Sequence, residues 1–157
     1  MRKYITEQQN AIQGISEPLT EIRLTVFGEP VAKGRPRFSG HAYTPEKTRK
    51  HEEKIALMYK WKYGNRKFEK DVPVRVVLDF FFKIPKGDKK AIKEAKITGK
   101  IRPTKRPDTD NVEKTVMDAV LKLAYEDDSQ VVELIGRKFY SMEPRTEIYI
   151  ARVDCEE

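Results

Sequence analysis

Residues 105 to 114 read KRPDTDNVEK, and this short stretch concentrates acidic side chains in a chain that is otherwise basic. Asp108 and Asp110 lie two residues apart, Lys114 follows one helical turn after Asp110, and a second acidic pair occupies residues 127 and 128. A few carboxylates, completed by water and phosphate oxygens, form the coordination shell that Mg²⁺ prefers. The stretch therefore predicts a divalent-metal site.

The composition favours nucleic acid as the partner of this site. The 157 residues include 32 Lys and Arg against 25 Asp and Glu, which gives a formal net charge of +7 and favours a polyanionic ligand. The single cysteine, Cys155, excludes a disulfide within the chain and a cysteine-based zinc site. No segment has the length of a membrane-spanning helix, and the N-terminus does not resemble a signal peptide, so we expect a cytoplasmic protein.

Hydrophobic periodicity predicts four strands. Residues 21–27 alternate between polar and apolar, which is typical of a half-buried strand, whereas residues 72–84 are nearly continuously apolar and predict a central strand covered on both faces. Asp79 interrupts this second run, and we expect it to be a paired charge near the sheet surface. Residues 130–140 and 145–153 predict two further strands that form a hairpin and close the sheet.

Helical spacing and helix-end signals predict three helices, at about residues 44–63, 88–97 and 111–124. The predicted fold is a mixed α/β domain of order β-α-β-α-α-β-β, with one sheet of about four strands packed by helices. This domain spans residues 21–157. Residues 1–20 are polar and are predicted to form a flexible N-terminal arm.

The helix that follows the acidic stretch has two different sides. One side carries an ordinary apolar stripe, and the other aligns Asp110, Lys114 and Asp118 four residues apart. Met117 and Leu121 fall near this acidic ridge, where a second helix or a partner subunit could cover them, and a homodimer would do so. Two structural alternatives remain open. Asp110 could cap the helix, and Lys114 could be an ion-pair partner that keeps the aspartates ionised.

Two basic segments are candidates for contacting DNA. In the loop KGRPRF, Lys33, Arg35 and Arg37 occupy alternate positions, which suits contacts with the phosphate backbone, although a solvated basic turn is the alternative. Lys105 and Arg106 end a second basic run that leads directly into the acidic stretch. We expect this run to guide an anionic substrate to the metal site.

These motifs together resemble the RusA family of Holliday junction resolvases. The pattern Pro-Asp-x-Asp-Asn-x-x-Lys begins at residue 107 and Asp-Asp-x-Gln-Val begins at residue 127, both at the spacing of the family. The segment KGRPRF, with Tyr-Thr-Pro after it, is similar to the N-terminal part of phage-type members. By position, Asp108, Asp110 and Asp128 match the metal-binding carboxylates of the family, and Lys114 matches its essential lysine.

The resemblance implies a RusA-like fold and a magnesium-dependent homodimer, with manganese as a possible substitute, in a prophage setting. It implies cutting of four-way DNA junctions by paired, symmetric nicks in recombination and repair. Whether Asp79, Asp118 or Asp127 assist the metal is left open by the sequence. Two alternative functions also remain: a basic nucleic-acid-binding protein without catalysis, and a metal nuclease that acts on RNA or on other branched DNA.

Overall fold

The computed structural model describes residues 17–35, 37–38 and 40–154, so most of the predicted N-terminal arm and Cys155 lie outside the described residues. The strands are β1 (Glu21–Phe27), β2 (Arg37–Phe38), β3 (Ala42–Tyr43), β4 (Val74–Lys83), β5 (Val131–Ser141) and β6 (Arg145–Arg152). The helices are α1 (Glu46–Tyr63), α2 (Lys90–Ile97) and α3 (Thr109–Val120), and a 3₁₀ turn covers Asp128–Gln130. None of these helices is long and apolar enough to cross a membrane.

The main sheet has four strands in the order β1-β6-β4-β5. β4 and β5 are parallel, whereas β6 is antiparallel to both of its neighbours, β1 and β4. The two short strands β2 and β3 form a separate antiparallel pair within the basic loop region. The predicted mixed α/β fold and the order β-α-β-α-α-β-β of its principal elements are therefore confirmed.

The predicted hairpin of the last two strands is wrong, because β4 lies between β5 and β6. The connection at residues 142–144 crosses over the end of β4. Two backbone hydrogen bonds hold this crossing: Ile84 N–H donates to the Ser141 carbonyl at 3.1 Å, and Gly28 N–H donates to the Pro144 carbonyl at 3.0 Å. β4 is the most apolar strand, and its central position gives it a hydrogen-bonded neighbour on each side. If β5 and β6 formed a hairpin, β4 could not lie between them.

The hydrophobic core lies on one face of the sheet, under α1 and α3. Alternate residues of β4 are buried there, namely Val74, Val76, Leu78 and Phe80. The residues between them face the other side and remain partly exposed, so the prediction that this strand is covered on both faces is wrong. A sheet with one helical layer needs apolar side chains at alternate positions only.

Cationic side chains cover the aromatic residues on the open face of the sheet. The Arg145 guanidinium lies 3.9 Å from the centroid of the Phe81 ring, and Phe81 stacks on Phe139 at 5.1 Å. The Arg102 guanidinium lies 4.0 Å from the centroid of the Phe139 ring. These cation–π contacts shield apolar surface without a second layer of helices, which explains why the strand reads as fully buried in the sequence.

Helices α3 and α1 both pack on this core. Met117 and Leu121 pack against the core of their own chain, so a partner subunit is not needed to cover them. Helix α1 begins at Glu46 with Pro45 in the N-cap position, close to the predicted start at about residue 44. Of its aromatic residues, Tyr59 is fully buried, whereas Trp61 is 89% exposed.

Candidate functional site

The acidic stretch forms the beginning of α3, and this helix begins two residues earlier than predicted. Asp108 occupies the N-cap position without a side-chain capping hydrogen bond, and Asp110 lies in the first turn. The capping alternative for Asp110 is therefore wrong. Carboxylates are still favoured here, because the N-terminus of a helix carries a partial positive charge. Lys114 and Asp118 follow at successive turns, and all four side chains are exposed.

Three of the candidate aspartates have no cationic partner among the described residues. In the part of the chain that the structure describes, Asp108, Asp110 and Asp128 take part in no ion pair, and neither does Lys114. The proposal that Lys114 serves as their ion-pair partner thus finds no contact within these residues. Unpaired carboxylates on a basic protein are available to an external cation.

The basic loop and the acidic stretch share one cleft of about 560 Å³. It is lined by Ala32, Lys33, Arg35, Arg106, Pro107, Asp108 and Asn111. The backbone holds the two segments together, since Lys33 N–H donates to the Asn111 carbonyl at 2.9 Å. On the other side, Lys138 Nζ donates to the carbonyls of Lys105 and Pro107, both at 2.8 Å. Segments about 70 residues apart in sequence thus meet at the start of α3.

Lys33 differs from the other predicted DNA-binding residues because its ammonium group forms ion pairs within the chain. Its ammonium group lies 2.5 Å from a Glu52 carboxylate oxygen and 2.7 Å from an Asp118 carboxylate oxygen. Burial lowers the pKa of Lys33, but the hydrogen bonds with Asp118 and Glu52 outweigh it, and the pKa is raised. Arg35 is exposed on the same cleft. The side chain of Arg37 lies outside the described residues.

The two residues of the second acidic pair, Asp127 and Asp128, have different roles. Asp127 caps the 3₁₀ turn by accepting a hydrogen bond from Ser129 N–H at 2.9 Å, and this backbone hydrogen bond holds the pKa of Asp127 below its usual range. Asp128 makes no such contact. Burial, and then the nearby charges of Asp118 and Asp127, raise the pKa of Asp128. Asp128 is thus the member of the pair that a bound cation would stabilise.

Gln130 holds this acidic turn in place, a role that the sequence did not reveal. Its side-chain oxygen accepts hydrogen bonds from the backbone N–H groups of Glu126 and Asp127, at 2.8 and 3.1 Å. Its side-chain nitrogen donates to the carbonyls of Glu69 and Val72, at 2.9 and 3.1 Å. The side chain is buried, so these four bonds tie the turn to the segment before β4. The sequence signals for this role are the Asp-Asp-x-Gln-Val motif and the capping-box spacing between Asp127 and Gln130.

The donor set fits a hard divalent cation in kind, but three donors are not assembled. Among residues 17–35, 37–38 and 40–154, no three carboxylate, imidazole or thiol groups are close enough to hold a metal ion. Asp108 and Asp110 lie at the N-terminal end of α3, whereas Asp118, the neighbour of Asp128, is eight residues beyond Asp110, about 12 Å along the helix axis. Two carboxylates with water and phosphate oxygens are nevertheless a normal Mg²⁺ site.

Glu113 is a further acidic group near the site. Burial, followed by the charge of Asp110, raises its pKa. Its side chain lies over Gly136 of β5 so closely that an added methyl group there would fall 1.8 Å from Glu113 Oε1. Asp79, by contrast, is the paired surface charge that was predicted. Arg137 donates to both of its carboxylate oxygens, at 2.6 and 2.8 Å.

Comparison with known proteins defines the class of this chain. The family profile described as Endodeoxyribonuclease RusA matches residues 28–151. The chain therefore belongs to the RusA endodeoxyribonuclease family, as its two acidic motifs predicted.

Two relatives show how far the similarity extends. The chain is 40% identical over 143 residues to the uncharacterized protein YqaN of Bacillus subtilis (strain 168), which covers 85% of this chain and 98% of that protein. It is 39% identical over 87 residues to the crossover junction endodeoxyribonuclease rusA of Lactococcus phage r1t, which covers 55% of this chain and 60% of the phage protein.

Proposed function

We propose that this chain is a magnesium-dependent endodeoxyribonuclease that resolves four-way DNA junctions by paired, symmetric nicks. The observation that carries the proposal is the shared cleft, in which Arg35 and Arg106 stand beside Asp108. Guanidinium groups suit phosphate oxygens, and unpaired carboxylates suit a cation. Membership of the RusA family and the name of the phage relative support DNA junctions as the substrate.

The residues of the site divide the work of hydrolysis between binding and charge stabilisation. Arg35 and Arg106 contact the DNA backbone and bring the scissile phosphate against the start of α3. Asp108 and Asp110 are the two residues that would hold Mg²⁺ together, whereas Asp128, which matches the third carboxylate of the family, lies beside Asp118 in this chain. When bound, the ion supplies an activated water and neutralises charge on the phosphate.

Lys114 is the residue that acts on the reacting phosphate without holding the cation. It lies one turn after Asp110 and is exposed on the same side of α3, so its ammonium group can stabilise the negative charge that grows on the phosphate. The reaction breaks a phosphodiester bond and leaves a 5′-phosphate and a 3′-hydroxyl. In a dimer, two identical sites serve two opposed strands, which accounts for the symmetry of the nicks.

The test uses a labelled four-way junction with a mobile core beside a linear duplex of matched sequence. Each DNA is incubated with the protein in Mg²⁺, in Mn²⁺ and in EDTA, and Asp110→Asn is assayed in parallel. We expect symmetric, metal-dependent nicks in the junction alone. The variant should lose cutting while it binds the junction as tightly or more tightly, because it removes a negative charge near the phosphates.

A matched control and two contrary results make the test decisive. Glu53→Gln removes an exposed carboxylate that pairs with Arg49 on α1, and it should leave cutting unchanged. Tight junction binding without cutting in either metal would favour a basic DNA-binding protein without catalysis. Metal-dependent cutting of RNA or of other branched DNA, with no preference for the four-way junction, would favour the other nuclease alternative.

A further inference from the structure

The backbone of the loop that carries Arg35 is held by hydrogen bonds to two helices. The hydroxyl of Thr48, the third residue of α1, accepts a hydrogen bond from Gly34 N–H at 3.1 Å and donates one to the Ala32 carbonyl at 3.3 Å. The residue between these two donates its backbone N–H to the Asn111 carbonyl of α3 at 2.9 Å. Three consecutive residues are thus bonded to α1 and α3, and Arg35 follows them directly.

The Thr48 side chain bonds this loop rather than its own helix. A threonine within a helix commonly donates to the carbonyl four residues earlier, as Thr115 does to Asn111. Thr48 instead bonds backbone groups 14 and 16 residues away in the sequence, and it is only 2% exposed. Without the hydroxyl, a backbone N–H and a carbonyl would lose their partner in a buried place, where such a loss is costly.

Gly34 allows the loop to lie directly against the start of α1. A Cβ atom on this residue would fall 2.5 Å from Cγ of Pro45 and 3.1 Å from its Cβ and Cδ. The proline ring is rigid and occupies the N-cap position of α1, so it cannot move aside as the end of a long side chain can. The loop would have to shift away from α1 to accept any side chain at residue 34.

Arg35 is the cation that this arrangement presents to a ligand. It is exposed, and it lines the cleft together with Arg106 and Asp108. Lys33, the cation before it, already pairs with Glu52 and Asp118. A long arginine side chain loses much rotamer freedom when it binds a phosphate, and a fixed backbone reduces the freedom that remains to be lost.

We propose that Thr48 is a positioning residue for the nuclease reaction. Its buried hydroxyl fixes residues 32–34 on α1, and through this loop it places Arg35 where the guanidinium group can contact the phosphate beside Asp108. Thr48 itself touches neither the DNA nor the cation. The inference rests on the proposed function and deepens it, because it names a residue outside the acidic stretch on which phosphate contact depends.

The experiment compares two substitutions of Thr48 with a matched control. Thr48→Val keeps the shape of the side chain and removes the hydroxyl, whereas Thr48→Ser keeps the hydroxyl. The control, Thr146→Val, makes the same chemical change at a fully buried threonine whose hydroxyl has no hydrogen-bond partner in the described part of the chain. Binding of a labelled four-way junction is measured in EDTA over a range of salt concentrations, and circular dichroism checks that each variant is folded.

The expected result is that Thr48→Val weakens junction binding about tenfold and reduces the salt slope of binding by about 1. Both values are those expected for the loss of one phosphate contact. Thr48→Ser and Thr146→Val should bind as the wild type does. Gly34→Ala moves the same loop through a different contact, so it should give the same loss and provides the test even if Thr48→Val does not fold. A change in stability alone would leave the salt slope of the folded protein unchanged.

A double-mutant cycle with Arg35→Met separates a positioning role from a general one. Once the guanidinium group is absent, Thr48→Val should weaken binding little further, because the two changes remove the same contact. Additive losses would overturn the proposal, and so would a salt slope unchanged by both Thr48→Val and Gly34→Ala.

The same measurements distinguish failure of this inference from failure of the proposed function. If Arg35→Met weakens binding and neither loop variant does, only the positioning role of Thr48 is overturned. If Arg35→Met leaves binding unchanged, the DNA contact of Arg35 and the role of Thr48 are overturned together. Because binding is measured without metal, these outcomes do not depend on whether the junction is cut.

Discussion

Replacement of Gln130 by alanine should be among the most destabilising single changes in this chain. The buried side chain makes four hydrogen bonds to backbone groups, with lengths between 2.8 and 3.1 Å. At a net value of about 1 kcal/mol for each bond, the loss is about 4 kcal/mol. Since domains of this kind are stable by about 5–15 kcal/mol, Gln130→Ala should remove a large part of the total.

The assay is urea unfolding followed by circular dichroism, with Ser129→Ala as the neighbouring control. The Ser129 side chain is exposed, so this control should stay within about 0.5 kcal/mol of the wild type. The free energy of unfolding of Gln130→Ala should fall by about 4 kcal/mol with an unchanged m-value. A loss below about 1 kcal/mol would show that water replaces the four bonds, and it would refute the role of Gln130 in holding the acidic turn.

Four further outcomes are expected. Hydrogen bonds from lysines lower the pKa of Glu126 from 4.5 to about 2, so this carboxylate stabilises the folded state above pH 4.5 and loses that effect as the pH falls toward 2. In thermal unfolding at low salt, Glu126→Gln should therefore have a lower Tm than the wild type near neutral pH. The two Tm values should converge in acid. Lys33→Met should reduce stability by about 1 kcal/mol, because two partly buried carboxylates lose their partner. Arg35→Met should instead weaken junction binding and reduce its salt slope by about 1, and equal effects of the two changes on binding would contradict this division. Trp61→Ala should change the free energy of unfolding by less than about 0.5 kcal/mol in urea, and a larger loss would mean that this exposed ring is covered in solution.

The sequence predicted the helices and strands of the fold better than it predicted which strands pair with each other. Strand β1 and the order of helices and strands follow from local periodicity, which is a property of each segment alone. The pairing of β5 with β4 depends instead on competition among strands for the central position. Residues 141–145 look like a hairpin turn, and nothing local shows that they pass over the end of another strand. The aromatic residues on the open face are covered by Arg102 and Arg145. In the sequence they look like residues of a strand buried on both faces, because these contacts also join distant segments.

For the candidate site, too, the sequence identified individual residues but not the contacts between distant segments. Residue types and spacing identified Asp108, Asp110, Lys114 and Asp128 as candidates, because the chemistry of a cation and of phosphate restricts which side chains are suitable. The ion pair of Lys33 with Glu52 and Asp118 could not be predicted, since it joins three separate segments. Helix ends are decided by backbone geometry as much as by residue type, which is why Asp110 was mistaken for a possible cap.

The position of β6 has a consequence for how this chain folds during synthesis. Among the strands that the structure describes, β6 alone joins β1 to the rest of the sheet, and it pairs Ile22 with Ile150, which is 128 residues later in the sequence. Contacts of such high sequence separation are slow to form because a long loop must close first. Until the last strand leaves the ribosome, β1 has no partner in the sheet, and β4 has only β5. We therefore expect the sheet to be completed only after residues 145–152 have left the ribosome, and nascent chains that stop before residue 145 to remain sensitive to proteases.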